Sequence, residues 1–293
     1  MDMKKLLLLS ILACVTLSSS AQLLWKVSGN GLEKPSYLLG TMHLAPAAMI
    51  DWIPGMDEAL ENCEVVIGEK DYDDHGTGNS SFSYLLPPDS TLDKLYSPED
   101  YLIVQEMVSK MIDNELFKRA WYKFHPVIIR IAMDMMLFKR DLEFDDDNFI
   151  DAGVMKRVID MGKPSMGLET SDFQKGLMNK EFFGTSIAED ADSLLAVCKN
   201  PQKYVHKCMA HYGVYMSQRY DLYEDYFEEL DPEEDESFKT KFVYDRNQDW
   251  MTKLPSLMAE RSCLVCVGIG HFPTDQGLLQ LLRNAGYTVE PMQ

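Results

Sequence analysis

Apolar and polar positions divide the chain into strand-like ends and a helical middle. Residues 23–28 and 36–39 alternate as two short strands around the Gly29-Asn30-Gly31 turn, a hairpin signal. Residues 55–62 read as a short helix. The run Cys63-Glu64-Val65-Val66-Ile67-Gly68 reads as a buried strand ending at Glu69. Residues 71–83 are polar and rich in Gly and Ser, a loop. Ser97-Pro98-Glu99 then opens a helix, with an N-cap serine and proline at the first position. Helical periodicity runs to about residue 139, with Pro126 starting a second helix.

Alternation then returns. Residues 149–161 read as a helix, 163–168 as a strand reaching Glu169, and Ser171 starts another helix. Residues 182–230 are helical with a break near Asn200-Pro201, 246–259 are helical, and 264–268 form an apolar strand. A helix over 275–284 and a strand over 287–289 close the chain. The pattern predicts one α/β domain, with a central mixed sheet built from both ends of the chain and helical insertions covering it.

The first 21 residues stand apart. Lys4 and Lys5 precede a short apolar run, and Ser19-Ser20-Ala21 places small residues before Gln22. This reads as a secretory signal peptide, giving domains at 1–21 and 22–293 and an exported protein, periplasmic or extracellular. A lipobox ending at Cys14 is the lesser alternative. No other segment reaches the ~18 apolar residues of a membrane span, so stable membrane insertion is not expected.

Composition narrows the function. The 293 residues carry 28 Lys+Arg against 47 Asp+Glu, a formal net charge of −19. A protein that binds nucleic acid neutralises phosphates with clustered Lys and Arg, and no such cluster occurs. A peptide or small-molecule substrate remains. The sequence leaves the oligomeric state open. Beyond the leader there are five cysteines, an odd number. Cys263 and Cys266 form a CxxC inside an apolar strand and read as buried thiols, and Cys198 with Cys208 could form a local bridge.

The chemistry concentrates in a repeated pattern. Leu38-Leu39-Gly40-Thr41-Met42-His43 and Cys266-Val267-Gly268-Ile269-Gly270-His271 each place an apolar strand before a glycine, two residues and a histidine. Glycine lets the chain turn where the strand leaves the sheet, and the histidine then projects past the strand's carboxyl end, where open α/β sheets bind ligands. Glu69 and Glu169 occupy corresponding positions. Either histidine alone is accounted for by capping a turn. Two in the same context, with carboxylates, point to a divalent-metal site of manganese, cobalt, zinc or iron(II) type.

These residues resemble the TraB/GumN family, related to the Tiki metalloproteases. The resemblance rests on Leu39-Gly40-Thr41-Met42-His43, Gly268-Ile269-Gly270-His271, Gly277-Leu278-Leu279 and Gly286-Tyr287-Thr288-Val289, and spans about residues 23–289. Further marks are Gly68-Glu69, Ile150-Asp151, Gly167-Leu168-Glu169-Thr170 before Gln174, and Asp245-Arg246-Asn247 before Trp250. The resemblance implies a fold of the erythromycin-esterase and ChaN-like group, a constellation of His43, His271, Glu69 and Arg246, and, after Tiki, a manganese- or cobalt-dependent peptidase. On that reading His43, His271 and Glu69 hold the metal. Glu69 or Glu169 acts as general base, and Arg246 steadies the oxyanion or a substrate carboxylate. Lys70 departs from the pattern, placing a cation beside Glu69. The alternatives are a peptide-, haem- or metal-binding protein without catalysis, or a metal-independent esterase of the same fold using a histidine base.

Overall fold

The computed structural model describes residues 22–77, 84–112, 115–142, 149–182, 186–227 and 239–293. The predicted leader over residues 1–21, with Cys14, and the end of the predicted 182–230 helical stretch lie outside those residues.

Six strands form one mixed sheet in the order β4-β3-β5-β2-β1-β6. They are β1 (Leu24–Gly29), β2 (Ser36–Thr41), β3 (Val65–Lys70), β4 (Ser165–Glu169), β5 (Cys263–Gly268) and β6 (Tyr287–Pro291). The hairpin β1–β2 is antiparallel, as is β1 with β6. β2, β5, β3 and β4 run parallel. Strands β2 and β5 pair although more than 220 residues separate them, so the sheet does join both ends of the chain. The central strands are almost wholly buried, which is why they read as continuous apolar runs.

The middle of the chain builds a second apolar cluster. Helices Pro98–Met111, Pro126–Leu142 and Ile187–Lys199 pack around Val104, Val108, Ile129, Met133 and Leu194. Met107, Met111 and Met136 pack against that cluster from the same helices. Ser97 caps the first of these helices, accepting from the amide of Asp100 at 3.1 Å.

Three predicted helices are interrupted further than the sequence suggests, the first of them at Met111, before the short helix Glu115–Ala120. Met216 ends a helix because Gln218 adopts a left-handed backbone, φ 57°, before the short helix Tyr220–Asp225. The stretch 246–259 divides into Asp245–Met251 and Leu254–Glu260, with Pro255 in the first turn of the second. Cys63, Cys198, Cys208, Cys263 and Cys266 are all free thiols. The predicted Cys198–Cys208 bridge is therefore absent: the two sit on successive helices, Cys198 in the helical core and Cys208 beside Asp134. Among the described residues no helix is long and apolar enough to cross a membrane.

Candidate active site

The four parallel strands deliver the predicted residues to one edge of the sheet. His43 follows β2, Glu69 and Lys70 end β3, Glu169 ends β4, and Gly268–His271 turns off β5. Gly40 permits the close approach of β2 to that last turn, since a Cβ there would lie 3.0 Å from Ile269 and Phe272 side-chain atoms.

Beneath this edge lies a buried charged cluster centred on Arg246, 8% exposed. Its Nη2 donates to Glu69 Oε2 at 2.5 Å and to Glu169 Oε1. Nε donates to Glu169 Oε1 at 3.1 Å, and Nη1 donates to the Phe242 carbonyl at 3.0 Å and to His271 Nε2 at 3.2 Å. A π-helical turn, Thr240–Tyr244, precedes the helix that carries Arg246. Gln174 bridges Glu69 and Glu169 at 3.1 and 2.9 Å, Trp250 Nε1 donates to Glu169 Oε2 at 3.1 Å, and the Gly268 amide donates to Glu69 Oε1 at 2.9 Å. The guanidinium also lies 4.8 Å over the Trp250 ring.

Asn247 fixes the tautomer of His271. Its Nδ2 donates to the carbonyls of His271 and Gln276 at 3.1 and 2.9 Å, so its Oδ1 accepts from His271 Nδ1 at 2.7 Å. The lone pair is then on Nε2, facing Arg246. Burial, followed by the guanidinium's repulsion against the pull of Glu69, pushes the His271 pKa down to about 3, so the ring is neutral. Burial alone would raise Glu69. The charges of His271, Arg246 and His43 and the Gly268 amide oppose it and hold Glu69 ionised. With the His271 ring uncharged, the cations that do this are Arg246 and protonated His43.

His43 is a different kind of residue. Its side chain is 79% exposed, and Nδ1 donates to Asp151 Oδ2 at 2.9 Å. Asp151 is held in turn by the hydroxyl of buried Thr41. The hydrogen bond and charge of Asp151 raise the His43 pKa to about 9. His43, Glu69, Asp151 and Gln174 line one cleft of about 290 Å³, with Lys70, Asp71, Tyr72, Phe149, Ala152 and Met155 around them. Lys70 turns outward toward the carbonyl of Asp74, 3.5 Å away.

The predicted residues thus share one sheet edge in two layers. Arg246, Glu169 and His271 form the buried layer, His43 stands at the cleft, and Glu69 belongs to both. Asp151, Gln174, Asn247 and Trp250 complete the arrangement, and sequence reasoning gave them no chemical role. Asp151 lies 108 positions from His43, in a helical first turn where an acidic residue is ordinary, so beyond its place in the family resemblance nothing local pointed to its role beside His43.

The divalent ion implied by the resemblance can be tested on the donor set. Glu69, Glu169 and His271 direct their acceptors to Arg246, and no group of three His, Cys, Asp or Glu side chains among the described residues is arranged to hold a metal. These residues do not fit the ion.

No curated protein and no solved structure matches the chain. The model of the TraB/PrgY/gumN family matches residues 23–291, nearly the whole length. The chain belongs to the TraB/PrgY/gumN family.

Proposed function

We propose that this protein is a hydrolase in which His43, oriented by Asp151, is the catalytic base. The observation that carries the reading is the His43–Asp151 hydrogen bond at the mouth of the cleft that Glu69 also lines. Once the ring has lost its second proton, with Nδ1–H held by a carboxylate, Nε2 carries the lone pair and can take a proton from water as it attacks a scissile carbonyl. Asp151 then stabilises the imidazolium, as a carboxylate behind a catalytic histidine does. Arg246 keeps Glu69 in place from below and does not itself reach substrate.

The metal-dependent peptidase is the second reading. It is favoured by His43 and Glu69 lining one cleft, with Asp151 on Nδ1 as carboxylates often stand behind histidine ligands. It requires Arg246 to leave its acceptors. We also take the mature protein to be exported, on the strength of the leader-like residues 1–21.

The test is hydrolysis of a mixed peptide and ester library by the purified protein, with and without EDTA, beside His43→Ala. Activity that survives EDTA and is lost in the variant supports the first reading. Activity lost on chelation and restored by Mn²⁺ supports the second. Binding without turnover would leave a binding protein of this fold.

A further inference from the structure

The cleft has an apolar half that the proposed chemistry does not use. The helix Ile150–Asp160 presents Asp151, Ala152 and Met155 to it. Asp151 holds His43, and Met155 stands one turn further on, about 6 Å along the axis. Gly68 and Cys266, neighbours across β3 and β5, lie directly beneath this helix at the cleft floor, with Met155 packed on Gly68. A Cβ on Gly68 would come within 2.8 Å of Met155 Sδ and 2.6 Å of the Lys70 carbonyl, so glycine is what leaves Met155 its place. Phe149 and Tyr72 complete the wall.

Apart from His43, the polar groups named at this cleft are already engaged. Glu69 accepts from Gly268, Gln174 and Arg246, Asp71 accepts from the Ser165 hydroxyl at 2.5 Å, and Lys70 points at the Asp74 carbonyl. The apolar surface is what remains to recognise a ligand. At about 290 Å³ the cleft lies at the small end of ligand pockets, which run from roughly 300 to 1,000 Å³. It holds a scissile group and one side chain rather than a long segment.

We infer that Ala152 and Met155, over Gly68 and Cys266, form a specificity subsite for one apolar side chain carried next to the scissile bond. The substrate class is then an amide or ester flanked by a leucine-, methionine- or phenylalanine-like group. This rests on the hydrolase reading for its placement beside His43, while the binding preference can be measured without turnover.

The experiment compares kcat/KM for a series of p-nitrophenyl esters of N-acetylated glycine, alanine, leucine and phenylalanine. Wild type is expected to favour leucine or phenylalanine over glycine by about 10-fold or more. Ala152→Trp, which fills the subsite, should bring that ratio close to 1, and Met155→Ala should shift the preference toward phenylalanine. Circular dichroism checks both folds, and if Ala152→Trp does not fold, Met155→Ala decides. Equal rates for glycine and leucine esters in wild type, or an unchanged preference in the folded variants, would overturn the subsite. If no ester is cleaved, the hydrolase reading fails, and NMR titration with N-acetyl-leucinamide against N-acetyl-glycinamide tests the subsite alone. Selective shifts with the leucine compound, lost in Ala152→Trp, would retain it, and equal or absent shifts would overturn it.

Discussion

Arg246 donates Nη1–H to Nε2 of His271 across 3.2 Å, so both ring nitrogens of this histidine are occupied within the protein. The two GxxH histidines therefore differ in role despite their shared pattern. One is buried, neutral and locked between Asn247 and Arg246. The other is exposed, paired with Asp151 and open to a ligand.

Removing the guanidinium should damage the fold before it alters chemistry. Arg246→Ala leaves Glu69 and Glu169 buried without their cation, an expected loss of about 3–5 kcal/mol in denaturant unfolding. Arg246→Lys should recover only part, because an ammonium cannot reproduce the forked contacts. The Ala variant also frees three donors, so Mn²⁺ should raise its unfolding midpoint and leave wild type unmoved. Equal midpoints for wild type and Arg246→Ala would remove the cluster from the account.

The pH dependence of turnover should report the His43–Asp151 pair. A base whose pKa is raised to about 9 works only when unprotonated, so kcat/KM should climb between pH 6.5 and 9. Asp151→Asn removes the anion and should move that limb toward the ordinary histidine value while lowering the maximum rate by about 10²–10⁴. An unchanged limb in Asp151→Asn would assign the titration to another group.

Stability should respond to acid through His271. Its folded pKa is depressed, so between pH 6.5 and about 3 the unfolded chain binds a proton that the folded chain refuses. Stability is thus fully present above pH 6.5 and lost as pH falls, at up to about 1.4 kcal/mol per pH unit from this one ring. His271→Gln should flatten the slope of unfolding free energy between pH 6.5 and 4.5. A slope equal to wild type would mean that the ring is charged in the fold.

The sheet was readable because β2, β3 and β5 are buried on both faces and carry uninterrupted apolar runs, each ended by a residue with chemistry. The hairpin, the two GxxH turns and Glu69 and Glu169 at strand ends followed from that alone. The helix breaks at Gln218 and before Leu254 depend on single backbone torsions and a turn, which periodicity averages away. The two-layer site was not readable either. His43 and His271 share a motif, and only tertiary packing places Arg246 on one and Asp151 on the other. The same packing turns a set of expected metal donors into acceptors for a guanidinium.

The most direct test of the account is one preparation each of wild type, His43→Ala and Asp151→Asn, measured together for bound metal and for hydrolysis of the N-acetyl-leucine ester. The account predicts trace metal in all three, turnover by EDTA-treated wild type, near-complete loss in His43→Ala, and a slower, acid-shifted profile in Asp151→Asn. Stoichiometric metal in wild type, lost together with activity in His43→Ala, would contradict it.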